Sequence, residues 1–128
     1  MGYYSTITGE ISFEPPASYG EIRSLSDKDR LFRFVQVAET QETEEGTLTK
    51  VSARCIEPVD DDRIKAYSME SDLTDFRAAL PNRRWSGEFR VEGEEAGDVQ
   101  RLFVDDKGHV VLWKARLLWP DGTSEPAR

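Results

Sequence analysis

The chain has 128 residues, of which 38% are hydrophobic and 33% charged; this length predicts a single domain with one core over residues 1–128. The net charge of −8 disfavours direct binding to nucleic acid or to an anionic membrane. Cys55 is the only cysteine and His109 the only histidine, which excludes an internal disulfide and a zinc site built from Cys and His ligands.

The first third of the chain predicts a strand, a helix and a second strand. Residues 6–13 alternate between polar and apolar, which is typical of a half-buried strand, and Pro15-Pro16 is expected to end it. Ser18 stands three residues before Glu21, the spacing of a capping box, and predicts a short helix. Residues 31–38 carry apolar side chains at both parities, which indicates a strand buried on both faces or broken by a bulge.

The middle of the chain predicts a long hairpin followed by a helix. Residues 47–56 are rich in Thr and Val, and the polar segment 39–46 before them forms an acidic tip that we expect to project into solvent. Residues 69–80 place four apolar side chains on one helical stripe. Ser68 or Ser71 can cap this helix, and Pro81-Asn82 ends it.

The last third predicts three strands. Residues 85–91 alternate most clearly, residues 99–104 form the next strand, and a tight turn precedes a strand over residues 109–119. Residues 121–128 are expected to be a frayed tail. The last strand is predicted to turn one parity toward the core: Val111, Trp113, Ala115, Leu117 and Trp119. All three tryptophans are therefore expected in the core, with a pocket or a protein interface as the alternative.

The order β-α-β-β-α-β-β-β predicts an α+β fold with a mostly antiparallel sheet of about six strands. Consecutive strands are joined by hairpin-length connections, which makes their pairing antiparallel. Two helices packed on one face cannot also cover the other face of six strands. We therefore expect one face of the sheet to be open to water or to a partner.

Five short motifs are distributed over the chain: Met1-Gly2-Tyr3, Thr8-Gly9-Glu10-Ile11, Glu44-Glu45-Gly46-Thr47-Leu48, Gly93-Glu94-Glu95-Ala96-Gly97-Asp98 and Trp119-Pro120-Asp121-Gly122. With them the chain resembles a family of small acidic proteins of actinobacteria and bacteriophages that open with Met-Gly-Tyr and a Thr-Gly-Glu step. The family has no established activity, so the resemblance implies a bacterial or phage cytoplasmic setting and assigns no catalytic or binding residue.

The densest carboxylate cluster is Glu92, Glu94, Glu95 and Asp98. Such a group can hold a hard cation such as Ca²⁺ or Mg²⁺, or separate the pKa values of two acids, but a solvated hairpin loop is the favoured interpretation. Residues 60–62 are three adjacent aspartates, and a solvated loop is favoured there too because neighbours in an extended chain face opposite sides.

His109 stands beside an acidic turn, where it could act as a general base if a serine or Cys55 approached it. Cys55 lies within an apolar strand, so a buried and unreactive thiol is the favoured interpretation. No glycine-rich phosphate loop and no serine elbow occurs in the sequence, and no cofactor is expected.

Three functions remain open, and the leading one is a non-catalytic protein-binding or regulatory module. The second is an inhibitor that mimics nucleic acid, which requires a continuous negative stripe formed by Glu88, Glu92, Glu94, Glu95 and Asp98. The third is a small metal-dependent hydrolase that uses His109 with the acidic loops. No signal peptide or span-length apolar run is present, so we expect a cytoplasmic protein. Its partner is a protein that the sequence does not identify, and a second copy, giving a homodimer, is one candidate.

Overall fold

The computed structural model describes residues 3–25, 30–60 and 64–127 as an α+β fold. Its elements are β1 Ser5–Ser18, α1 Tyr19–Ser24, β2 Phe32–Thr43, β3 Gly46–Pro58, α2 Met69–Ala79, β4 Arg84–Gly93, β5 Val99–Val104, β6 Val110–Lys114, β7 Arg116–Leu118 and β8 Ser124–Pro126. The first six strands form an antiparallel sheet in the order β2-β3-β1-β4-β5-β6, and β7 pairs with β8 in a separate ribbon. The predicted fold class is confirmed, and so is the element order as far as β6. Asp61, Asp62 and the opening Met1-Gly2 lie outside the described residues.

One face of the sheet carries the core, and both helices contribute to it. Ile22 of α1 and Leu73 of α2 belong to the same buried cluster as the inward-facing strand residues. Phe32 of β2 stacks on Phe89 of β4, with ring centroids 4.4 Å apart and the ring planes 7° from parallel. Since Phe76 of α2 packs edge-on against Phe32, one aromatic cluster links the helix to the sheet. We call this helix-covered side of the sheet the covered face.

Strand β1 continues through the two prolines, so the prediction that Pro15-Pro16 ends it is wrong. The strand pairs with β4 as far as Glu14, and with β3 it resumes at Ala17 after a shift of register. Proline has no N–H to donate to the ladder, so the pairing with β3 is interrupted locally while the chain stays extended.

The β2–β3 hairpin projects from the sheet as an arm, defined here as residues 36–50. Every residue of the arm is exposed, including Leu48, and the turn at its tip is Glu44-Glu45. The β2–β3 register shifts between Phe34 and Gln36, which pair with Ile56 and Ala53, so the extra residue lies on β3 and the bulge expected in β2 lies in its partner strand.

The end of the chain differs from the single strand predicted over residues 109–119. Strand β6 ends at Lys114, and β7 turns away to pair with β8, which lies within the tail expected to fray. Val104 pairs with Val110, so the even-numbered residues of β6 face the core and the odd-numbered ones face outward. Trp113 and Trp119 are therefore exposed, by 57% and 48%, and only Trp85 is buried as predicted.

Both helices begin where the sequence predicts. At α1 the Ser18 hydroxyl accepts a hydrogen bond from the Glu21 N–H, and the Glu21 carboxylate accepts one from the Ser18 N–H. At α2 the Ser68 hydroxyl instead donates to the buried carboxylate of Asp72, which also accepts from the Leu31 N–H at 2.9 Å. Asp72 thereby joins α2 to the start of β2.

Candidate protein-binding face

The open face is the side of the six-stranded sheet opposite the helices. All its described side chains are half-buried or exposed, which differs sharply from the covered face. It includes Arg33, Cys55, Glu57, Thr6, Thr8, Glu10, Glu88, Arg90, Glu92, Val99, Arg101, Phe103, Val111 and Trp113. The expected uncovered face is thus present in the described part of the chain.

Strand register arranges the charges of the open face in two neighbouring rows. In the acidic row, Glu57, Glu10 and Glu88 lie side by side on β3, β1 and β4, since Ile11 pairs with Ile56 and Glu10 with Glu88. In the arginine row, Arg90 pairs with Arg101, and Arg101 pairs with Trp113 at the edge strand. Side chains directly opposite each other on one sheet face are close neighbours, so like charges meet within each row.

Ion pairs offset part of this repulsion, and one of them joins the two rows. Arg101 contacts Glu88 at 3.2 Å across the β4–β5 pair, and Arg90 contacts Glu92 at 3.1 Å along β4. All four side chains are about half exposed, so each pair contributes at most about 1 kcal/mol. The rows are held in place without the burial of any charge.

The edge of the open face nearest β6 is aromatic. Phe103 and Trp113 meet edge to face, with ring centroids 5.0 Å apart. A cleft of about 290 Å³ lies beside them and is lined in part by Arg90, Arg101 and Trp113. Exposed tryptophan next to arginine is the composition of protein-interface hot spots.

Two glycines let the strands at the centre of the face approach closely. Gly9 and Gly87 have φ values of +103° and +88°, and each directly precedes a glutamate of the acidic row. A Cβ atom at Gly87 would lie 2.6 Å from the Glu10 carbonyl oxygen, and one at Gly9 would lie 2.5 Å from the Glu88 carbonyl oxygen. The Glu10–Glu88 pair therefore depends on glycine at both positions.

The predicted acidic site residues separate in the structure. Glu88 and Glu92 lie on the open face beside arginines, while Glu94 and Glu95 are exposed in the loop after β4. Asp98 is buried, and its Oδ2 accepts a hydrogen bond from the Tyr3 hydroxyl at 2.6 Å. The continuous negative stripe that a nucleic-acid mimic requires is not formed by these residues.

His109 lies at the other end of β5 from Asp98, about 20 Å away along a strand of six residues. Its Nδ1 is 3.6 Å from Asp105 Oδ2. The backbone N–H of His109 donates to Asp105 and is the main reason that the pKa of Asp105 lies below its ordinary value. His109 thus belongs to the β5–β6 turn and is not brought near the β4–β5 acidic loop.

Cys55 lies on the open face with its Sγ 3.9 Å from Glu10 Oε2. Burial, followed by the charges of Glu10 and Glu57, raises the pKa of the Cys55 thiol, which makes it a poorer nucleophile. Three strand spacings, about 14 Å, separate β3 from β5 near His109, so the two side chains do not form a catalytic pair.

Within residues 3–25, 30–60 and 64–127, no three His, Cys, Asp or Glu side chains gather in a way that could hold a metal ion. Neither helix described has the length and apolar character needed to cross a membrane.

A family model described as a family of unknown function, DUF6205, matches residues 1–128. The chain belongs to this family. No curated protein and no solved structure matches it. The resemblance to a family without established activity is confirmed, and its actinobacterial or phage setting stays a prediction.

Three residues of the open face were not predicted from the sequence. Trp113 owes its place on the open face to the Asp105–His109 turn, which sets the register of β6 against β5, whereas the pairing of β5 with β4 places Arg101 and Phe103 there. A five-residue connection was visible in the sequence, but the parity of the strand after it depends on the turn geometry. Because the odd-numbered residues of 109–119 are the more apolar ones, the sequence predicted that they face the core, whereas in β6 the even-numbered residues do.

Proposed function

We propose that this DUF6205 protein is a non-catalytic protein-binding module that acts as one domain and docks a partner on its open face. The observation that carries the proposal is the exposed Trp113, 57% accessible, placed beside two arginines on a sheet face where no described residue is buried. Exposed tryptophan on a flat sheet surface is unfavourable in water and gains free energy when a partner covers it.

The charges of the face supply specificity for such a partner. The acidic and arginine rows present both signs at a fixed spacing, so a partner with the opposite pattern is favoured and one with the same pattern is repelled. In this proposal Glu88 and Glu92 act as binding residues, and nucleic acid is not the ligand. The setting proposed is the cytoplasm of a bacterium or phage-infected cell, as the family resemblance implies.

The test is a pull-down from the native host with three forms of the protein, compared by quantitative mass spectrometry. Trp113→Glu places a charge in the aromatic edge of the face. Trp119→Glu is the matched control, since Trp119 is similarly exposed, at 48%, but lies after β7 and outside the face. We expect partners that the wild type and the Trp119 variant both capture and the Trp113 variant loses. Capture that is the same with all three forms would contradict the proposal.

A further inference from the structure

We infer that the open face binds a second copy of this chain, in a two-fold symmetric, face-to-face dimer. This inference rests on the proposed function and names the partner of the same surface. It follows from the opposite charges of Glu88 and Arg90 on β4 and from the aromatic edge of the face, which are complementary to a second copy after rotation about an axis lying in the face.

The geometry of that rotation can be stated from the strand register. Glu88 and Arg90 are two residues apart on β4, so the acidic and arginine rows run parallel about 7 Å apart. A two-fold axis parallel to the rows and midway between them exchanges the positions of Glu88 and Arg90 on β4, the one strand that the two rows share. Each strand keeps its lateral position, so β4 faces β4 and β5 faces β5.

Three kinds of contact result, and each is favourable. Glu88 meets Arg90 of the second copy, an ion pair that the symmetry makes twice. On β5, Phe103 meets Arg101 of the second copy, a cation–π contact. On β6, Val111 meets Trp113 of the second copy, which buries the aromatic edge of the face.

Dimerisation is favoured because like charges lie opposite each other within a single copy. Arg90 lies directly opposite Arg101, and Glu10 directly opposite Glu88, and like charges in such positions are unfavourable. A second copy places its Glu88 over Arg90 and its Arg90 over Glu88, while Glu10 faces Thr8 of the second copy. On β4, attraction between the two copies therefore offsets repulsion within the single copy.

The size of the face sets the expected strength of the dimer. Strands β1, β4, β5 and β6 span about 19 Å across and about 17 Å along the strands, or about 300 Å² per copy. Stable complexes bury about 800 Å² of accessible surface per partner, so a face of this size predicts a weak dimer that forms only at high protein concentration.

Sedimentation equilibrium over a concentration range of about 10 µM to 1 mM tests the inference. Glu88→Arg and Arg90→Glu should each weaken self-association by about tenfold or more, because each puts like charges in contact twice in the dimer. Glu45→Arg, the same charge change at the tip of the arm, should leave it unchanged. Circular dichroism and thermal unfolding of every variant are the controls that it remains folded.

The decisive step is to mix the two variants. In a mixed dimer, the arginine introduced at position 88 meets the glutamate introduced at position 90 of the other copy, and native Arg90 meets native Glu88. The two-fold geometry therefore predicts that an equimolar mixture dimerises at least as well as the wild type while each variant alone is monomeric. Failure of the mixture to associate would overturn this geometry, as would a wild type that is monomeric at 1 mM.

These outcomes separate the inference from the proposed function. A monomeric wild type whose pull-down partners are lost with Trp113→Glu would overturn the dimer and leave the binding module standing. A dimer that mixing restores, while no other protein is captured, would make self-association the function of the face.

Discussion

The two faces of the sheet are made by the same strands and differ in almost every physical respect. On the covered face, alternate residues of β1 and β4 such as Ile11 and Phe89 are fully buried beneath the helices. On the open face, the residues that alternate with these buried ones include charged side chains joined by exposed ion pairs. The comparison indicates that the covered face supplies most of the stability of the fold and that the open face contributes little to it.

Replacing one aromatic residue on each face gives the largest expected contrast. Phe89→Ala removes a fully buried ring stacked on Phe32 and should lower the free energy of unfolding by about 3–5 kcal/mol. Trp113→Ala removes an exposed ring and should lower it by about 1 kcal/mol or less. Urea unfolding of both variants measures the difference, and equal losses would show that both faces carry core.

The close approach of β1 and β4 predicts the next effect. Gly87→Ala should destabilise the fold by about 2–4 kcal/mol, because it adds backbone strain at φ +88° and a Cβ atom 2.6 Å from a carbonyl oxygen. Gly122→Ala is the matched control, since Gly122 has the same φ and no atom within 4 Å of the added Cβ. Similar losses in the two variants would refute the close approach.

Two carboxylates of α2, one buried and one exposed, allow the same comparison on the helix side of the sheet. Asp72→Ala leaves the Leu31 N–H without its acceptor and should cost about 2 kcal/mol. Asp75→Ala, on the same helix, removes an exposed ion pair with Arg30 and should cost about 0.5 kcal/mol. Thermal unfolding of the two variants checks this ranking, and a larger loss for the Asp75 variant would contradict it.

The capping box of α1 predicts a small effect that depends on pH. The hydrogen bond from the Ser18 N–H, together with Arg83, lowers the pKa of Glu21 below its ordinary value of 4.5. Ionised Glu21 therefore stabilises the fold above pH 4.5, and this contribution is lost as the pH falls through the lowered pKa.

Glu21→Gln should be less stable than the wild type by about 1 kcal/mol at neutral pH. The difference should narrow in acid and vanish below the lowered pKa. Unfolding curves measured from pH 7 downward check this, and a difference independent of pH would contradict it.

Local patterns in the sequence predicted most of the fold, and the misses fall where tertiary pairing decides. The Ser18–Glu21 spacing and the alternation of residues 85–91 predicted elements that the structure contains, because those signals depend on neighbours in the chain. The face of β6 and the path of β1 past Pro15-Pro16 depend on partner strands.

The candidate site was harder to predict for the same reason. Glu88 and Glu92 were recognised as exposed residues of a strand, but the arginine row exists only through register across three strands. Asp98 looked like a loop acid and is buried against Tyr3, a residue 95 positions away. No local pattern contains such contacts.

Oxidation of the three tryptophans in the dilute wild-type protein, read by mass spectrometry, tests the central claim most directly. We expect Trp113 to react about as fast as Trp119 and much faster than the buried Trp85. At high concentration, or with a captured partner, Trp113 alone should become protected. If Trp113 reacts as slowly as Trp85 at every dilution, the chain covers this face itself and the account is wrong.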